Sequence, residues 1–189
     1  MPRTRFQTLS IWLLGLFGWT VEVVPPPVKK CVAIFYPHTS NWDFVIGMFA
    51  KVVVGLPVHW AGKDTLFRWP LAGMFRWLGG IPVNRRERTG LTARLAEEFA
   101  SRNRFCLAIT PEGTRSRTDR WKSGFYHLAL AANVPLALAY IDYPRKSIGI
   151  GGYLELTGDE TTDLDALRRF YAGKTGKHPE LQGDIRFVH

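Results

Sequence analysis

Only two cysteines occur among 189 residues. That excludes a disulfide-stapled scaffold, and neither Cys31 nor Cys106 stands at metal-ligand spacing. The chain also lacks repeats and low-complexity tracts, which excludes repeat architectures and linker-like segments. No apolar run reaches the roughly 20 residues that a membrane-crossing helix needs. The nearest, residues 9–21, follows Arg3 and Arg5 and is closed by Glu22. A secretory signal needs a small-x-small cleavage site, and Glu-Val-Val-Pro-Pro-Pro follows instead. Acidic residues are scarce: 16 Asp and Glu against 25 Lys and Arg give a net charge of +9. Such an excess favours anionic partners, whether nucleic acid, lipid headgroups or phosphorylated substrates.

What is present narrows the choice. A hydrophobic content of 46% excludes a disordered chain, and the length suits one domain, residues 1–189. Seven Trp and twelve Phe are many for this size, and several stand beside Arg. That pairing suits a membrane interface or a stacking surface for single-stranded nucleic acid. Residues 1–24 read as a membrane-interface segment lying among headgroups. The alternative is an ordinary first helix and strand packed on the core. Both cysteines lie in apolar runs of buried-strand character and are expected to be reduced, in keeping with a cytoplasmic location.

Apolar runs of strand length alternate with segments of helical period. Strands are expected at 18–24, 30–36, 58–62, 80–84, 104–110, 134–141 and 147–156, with a short edge strand at 185–188. Helices are expected at 41–54 behind a Ser40 cap, at 64–78 in pieces around Pro70, and at 90–101, 122–132 and 163–172. This rhythm predicts a single α/β domain whose mixed, mostly parallel central sheet is flanked by helices. In such sheets, ligands gather beyond the carboxyl ends of the strands.

Three loops there carry chemistry. Pro37-His38-Thr39-Ser40-Asn41-Trp42-Asp43 follows a buried strand. A carboxylate folded back onto one imidazole nitrogen makes the other a general base. A capping box, with Asp43 serving the helix start, is the plainer alternative. Pro111-Glu112-Gly113-Thr114-Arg115-Ser116 joins a buried strand to a glycine turn. Amides of such a turn, with Arg forks, bind phosphate or carboxylate; a solvated polar turn is the alternative. Gly79-Gly80-Ile81-Pro82-Val83-Asn84-Arg85 delivers an arginine to the end of an extended segment.

These blocks, with Val134-Pro135, resemble the glycerolphosphate and lysophospholipid acyltransferase family. That family carries a His-x4-Asp block, a Gly-rich block ending in Arg, a Pro-Glu-Gly-Thr-Arg block and a Val-Pro strand, in this order. The resemblance spans about residues 30–141. Pro37, Thr110 and Ala137 depart from the family's usual residues and leave the acceptor open. The resemblance implies that His38 deprotonates an acceptor hydroxyl while Asp43 orients the imidazole. It places Gly80, Arg85, Glu112, Gly113, Thr114 and Arg115 at the acceptor's polar head, and Lys63 ends a strand on the same rim. It implies acyl-CoA or an acyl carrier protein thioester as co-substrate, with no other cofactor and no metal. The implied partners are a lipid acceptor, 1-acyl-glycerol-3-phosphate by default, and the cytoplasmic face of a membrane, held peripherally or monotopically. Two Phe-Arg-Trp triplets, at 67–69 and 75–77, suit a bilayer surface, an acyl groove or packing on the core. A basic protein that binds nucleic acid without catalysis is the rival reading, as is a thioesterase or transacylase. No nucleic-acid motif is present, and no such partner is expected.

Overall fold

The computed structural model describes residues 4–84 and 90–187. Among these residues, seven strands form one sheet: β1 (Thr20–Val23), β2 (Lys30–Tyr36), β3 (Val58–Lys63), β4 (Gly80–Val83), β5 (Phe105–Ile109), β6 (Leu136–Asp142) and β7 (Ser147–Leu154). Six helices accompany them: α1 (Arg5–Leu16), α2 (Trp42–Val54), α3 (Ala72–Trp77), α4 (Leu91–Ser101), α5 (Gly124–Ala132) and α6 (Glu160–Tyr171). The strand order is β1-β7-β6-β2-β5-β3-β4. Every pairing is parallel except β6 with β7, which are joined by the tight turn 143–146. The expected mixed, mostly parallel sheet is therefore the architecture found.

The central strands are buried on both faces, which explains their unbroken apolar runs. Their alternation of size separates two sides. Val32, Ile34, Phe105, Leu107, Leu136 and Leu138 join α4, α5 and α6 in the main core, with Phe99, Trp121, Phe125 and Leu167. The opposite face carries smaller side chains: Cys31, Ala33, Cys106, Ala137 and Ala139. Cys31 and Cys106 face each other across β2 and β5 as free, buried thiols, Sγ to Sγ 3.1 Å. This face is covered by α2 and, beyond it, by α1.

The helix boundaries show where local chemistry acts. Asn41, not Ser40, is the residue before α2, although Ser40 Oγ accepts from the Trp42 amide at 3.2 Å. Gly55 ends α2 in the left-handed conformation, where a side chain is strained. Helix α6 starts three residues before the expected Asp163, because Asp159 caps it. Asp163 is buried and accepts from the Tyr126 hydroxyl and the Thr157 amide instead. The expected edge strand at 185–188 is absent among the described residues. Ile185 and Phe187 pack on the main core from an irregular segment.

At the N-terminus the helix of the packed-on-the-core reading is present. Helix α1 buries Leu14 and packs on α2 while exposing Phe6, Leu9, Trp12 and Leu16. No helix among the described residues is long and apolar enough to cross a membrane.

Strand β1 joins the sheet only through β7, and a Cβ at Gly149 would run into the Glu22 carbonyl of β1. Gly149→Ala is therefore expected to destabilise the fold by about 1–3 kcal/mol through overpacking. A urea midpoint equal to that of the wild type would refute this.

Candidate active site

The loop after β2 turns His38 toward the sheet face covered by α2. Its amide donates to Glu112 Oε2 at 2.7 Å, which anchors the loop from below. The ring stands edge-on to Phe35, with centroids 6.0 Å apart. His38 Nδ1 is buried 3.2 Å from Asp43 Oδ2. That is a close contact, off the alignment of a full hydrogen bond, and such contacts commonly tighten when substrate binds. It leaves Nε2 as the nitrogen able to take a proton.

Asp43 is itself tightly held in the first turn of α2. Oδ2 accepts from the amides of Thr39 at 2.9 Å and Ser40 at 2.8 Å, and Oδ1 accepts from the Tyr143 hydroxyl at 2.7 Å. Burial alone would raise its pKa, but the contacts from His38, Tyr143 and Ser40 outweigh it and hold the carboxyl below its ordinary value. The capping geometry and the charge pair are thus one arrangement. The same carboxylate that closes the helix start also faces the imidazole.

A cavity of about 730 Å³ opens at this pair. Its polar end carries His38, Asn41, Lys63, Thr110 and the segment Gly113-Thr114-Arg115-Ser116. Its interior runs under α2 across the small-residue face, past Ala33, Phe35, Val54, Val58, Ala108 and Ala139. Ala and Gly at these positions leave the room that larger side chains on the other face fill. Among the described residues, no group of three or more His, Cys, Asp or Glu converges to hold a metal ion.

The predicted site residues do not all meet there. His38, Asp43, Lys63, Gly113, Thr114 and Arg115 line the cavity. Gly80 lies behind it on β4, where a Cβ would collide with the rings of Trp60 and Phe67. Arg85 lies outside the described residues. Glu112 is 2% exposed and faces inward, its Oε1 accepting from the Gly183 amide at 2.9 Å. It ties the His38 loop to the C-terminal segment. Tyr143 and Gly183 went unnoticed in the sequence. Tyr143 stands 100 residues from Asp43 and Gly183 stands 71 from Glu112, separations no local pattern reveals.

Comparisons with known proteins place these blocks. The family profile described as Acyltransferase matches residues 21–141, over half of the chain. The chain belongs to the acyltransferase family. The family match includes the His38–Asp43 pair, Gly80, the Pro111–Ser116 loop and the start of β6. Outside it, Tyr143 and Gly183 are contributions of the chain's C-terminal part. The 1-acyl-sn-glycerol-3-phosphate acyltransferase of Escherichia coli K12 is 35% identical over 148 residues, covering 73% of this chain and 59% of that enzyme. The human 1-acyl-sn-glycerol-3-phosphate acyltransferase alpha is 32% identical over 131 residues, covering 64% of this chain and 45% of that one. The chain thus spans about half to three-fifths of the length of these acyltransferases. The LPA acyltransferase of Thermotoga maritima shares the fold, with a TM-score of 0.62 at 15% identity over 88% of this chain and 77% of that one.

Glu112 generates a pH prediction. Burial raises its pKa, its two amide donors pull it down and the Asp43 charge raises it again, to about 7 from 4.5. A carboxyl raised on folding binds its proton more tightly in the native state. Its contribution is fully present below pH 4.5 and is lost as pH rises through about 7. Glu112→Gln keeps one amide acceptor and removes the titration. The stability of the wild type relative to Glu112→Gln is expected to fall by up to about 3 kcal/mol between pH 4.5 and 8. Parallel stability–pH curves from urea unfolding would contradict this.

Proposed function

We propose that this chain is an O-acyltransferase that moves a fatty acyl group from an acyl-CoA or acyl carrier protein thioester to a lysophospholipid hydroxyl, with 1-acyl-glycerol-3-phosphate as the default acceptor. The carrying observation is the His38–Asp43 pair, 3.2 Å apart, at the junction of a polar mouth and an apolar cavity. The names of the bacterial and human relatives support the same acceptor. Residues 1–189 act as one acyltransferase domain, with residues 1–24 as its membrane-facing segment.

In this reading Nε2 of His38 takes the proton of the acceptor hydroxyl, and Asp43 stabilises the imidazolium that forms. The alkoxide oxygen bonds to the thioester carbonyl carbon. The tetrahedral intermediate then collapses, the carbon–sulfur bond breaks, and the thiolate leaves with the proton carried by His38. A thiolate departs readily, so the step needs no covalent enzyme intermediate. Lys63, Gly113, Thr114 and Arg115 receive the anionic head of the acceptor, and Arg85 joins them from the Gly80 block. Glu112 serves by fixing the loop that carries His38. The thioester is a co-substrate, and the apolar interior receives fatty chains.

His38→Ala is expected to lower acyl transfer from labelled acyl-CoA to 1-acyl-glycerol-3-phosphate by roughly a thousandfold, the middle of the range for a general base. Equal turnover by variant and wild type would end the reading.

Trp69 and Trp77 are 92% and 84% exposed, and Phe6 and Trp12 of α1 are also turned outward. Arg68 and Arg76 stand beside the two tryptophans and are exposed as well. Indole rings flanked by arginine suit the headgroup region, which supports a peripheral or monotopic position on the cytoplasmic face of a membrane. Replacing Trp69 and Trp77 together with Ala is expected to weaken binding to vesicles containing phosphatidylglycerol by roughly tenfold or more. Unchanged co-sedimentation would exclude these two side chains from the contact.

A further inference from the structure

The two oxygens of Asp43 have different duties. Oδ2 serves the His38 ring and the amides of Thr39 and Ser40. Oδ1 receives the Tyr143 hydroxyl at 2.7 Å. Tyr143 comes from the tight turn between β6 and β7, far along the chain and beyond the four motif blocks.

The phenol is not free to wander. Its ring stands edge-on to Trp19 with centroids 5.0 Å apart, and its amide donates to the Thr175 carbonyl at 2.9 Å. Trp19 is itself buried with Leu14, Ile141 and Ile148. The hydroxyl is therefore delivered to Oδ1 by packing between the first helix, the β6–β7 turn and the segment after α6. Burial, then the bond to Asp43, raises the phenol pKa well above its ordinary value, so the group remains a donor across the working range.

We propose that Tyr143 is a positioning residue for acyl transfer, orienting the Asp43 carboxylate and setting how strongly that carboxylate attracts a proton on His38. The proposal rests on the reading of His38 as general base. A donor on Oδ1 draws charge away from Oδ2 and fixes the rotation of the carboxylate about its side chain. Without it, Asp43 holds the imidazolium more tightly, and less of the base is free at neutral pH. The other ionisable groups near the pair are Glu112, bound to the His38 amide, and Lys63 and Arg115 on the cavity wall. Toward Tyr143, Trp19 offers a neutral ring and Thr175 a backbone carbonyl, and the neutral Ser40 hydroxyl also bonds the phenol. None competes for the proton.

The test compares the wild type, Tyr143→Phe, His38→Ala and a protein with 3-fluorotyrosine at position 143. Fluorination strengthens the phenol as a donor and keeps the ring, so it tests the bond even if Tyr143→Phe folds poorly. Two quantities are read. One is kcat/KM against pH with acyl-CoA and 1-acyl-glycerol-3-phosphate, and the other is the titration of the His38 imidazole by NMR, assigned by its loss in His38→Ala. In Tyr143→Phe the titration and the acid limb of the rate profile are expected to move up by roughly half a pH unit, the size of one hydrogen bond. Activity there falls by up to roughly threefold at neutral pH and recovers toward the wild-type level in alkali. The fluorinated protein is expected to move both the opposite way. A His38 titration identical in wild type, Tyr143→Phe and fluorinated protein overturns the positioning role, even if activity falls uniformly. Equal turnover by His38→Ala and wild type overturns the general-base reading instead.

Discussion

A buried carboxylate requires partners, and in this chain the partners of Asp43 come from two distant places. The loop 38–43 supplies two amides and an imidazole, and the β6–β7 turn supplies a phenol. A charge stripped of water is tolerated only when nearly every lone pair is used. Here that requirement ties the start of α2, the end of β2 and the far side of the sheet to one point. The fixed placement of the His38–Asp43 pair is thus a by-product of satisfying a buried charge.

The second constraint is the parity of the sheet. Along β2, β5 and β6 large side chains fall on one face, while Ala and Cys predominate on the other, with Phe35 and Ile141 toward the strand ends. One face becomes a close-packed core with three helices, and the other leaves room beneath α2. A cavity in a folded protein is costly unless its walls are held apart. The aromatic cluster of Phe44, Trp60, Phe67 and Phe75 does this at one end, its rings 5.0 to 6.2 Å apart. Gly62 and Gly80 belong to that cluster as the places where the rings approach the backbone. The glycines of the third motif thereby shape the wall instead of touching what it encloses.

Glu112 plays for the backbone of His38 the part that Asp43 plays for its ring. One oxygen accepts the His38 amide and the other the Gly183 amide, so the His38 loop and the C-terminal segment share a buried anchor. The Tyr36 hydroxyl adds a bond to the Gly183 carbonyl at 3.0 Å. The irregular stretch after α6 is consequently part of the machinery that holds the site. It is no loose tail, although among its described residues it forms only the short 3-10 turn Pro179–Leu181.

Most of the fold was legible in the sequence because it is written in local patterns. Strand β2 matches its expected residues, and the alternation of strands and helices set the sheet's class. His38 and Asp43 were legible too, since a helix start brings residues five apart into reach. The expected strand at 185–188 was misread because a short apolar run looks alike whether it pairs in a sheet or packs on a core. The roles of Tyr143, Gly183 and the inward-facing Glu112 were not legible at all, since each depends on a partner remote in the chain. Residue types and short spacings determined the sheet and the pairing of His38 with Asp43. Only the tertiary structure decided which distant groups satisfy the buried charges, because desolvation acts on whatever packing brings together and leaves no periodic trace in the chain.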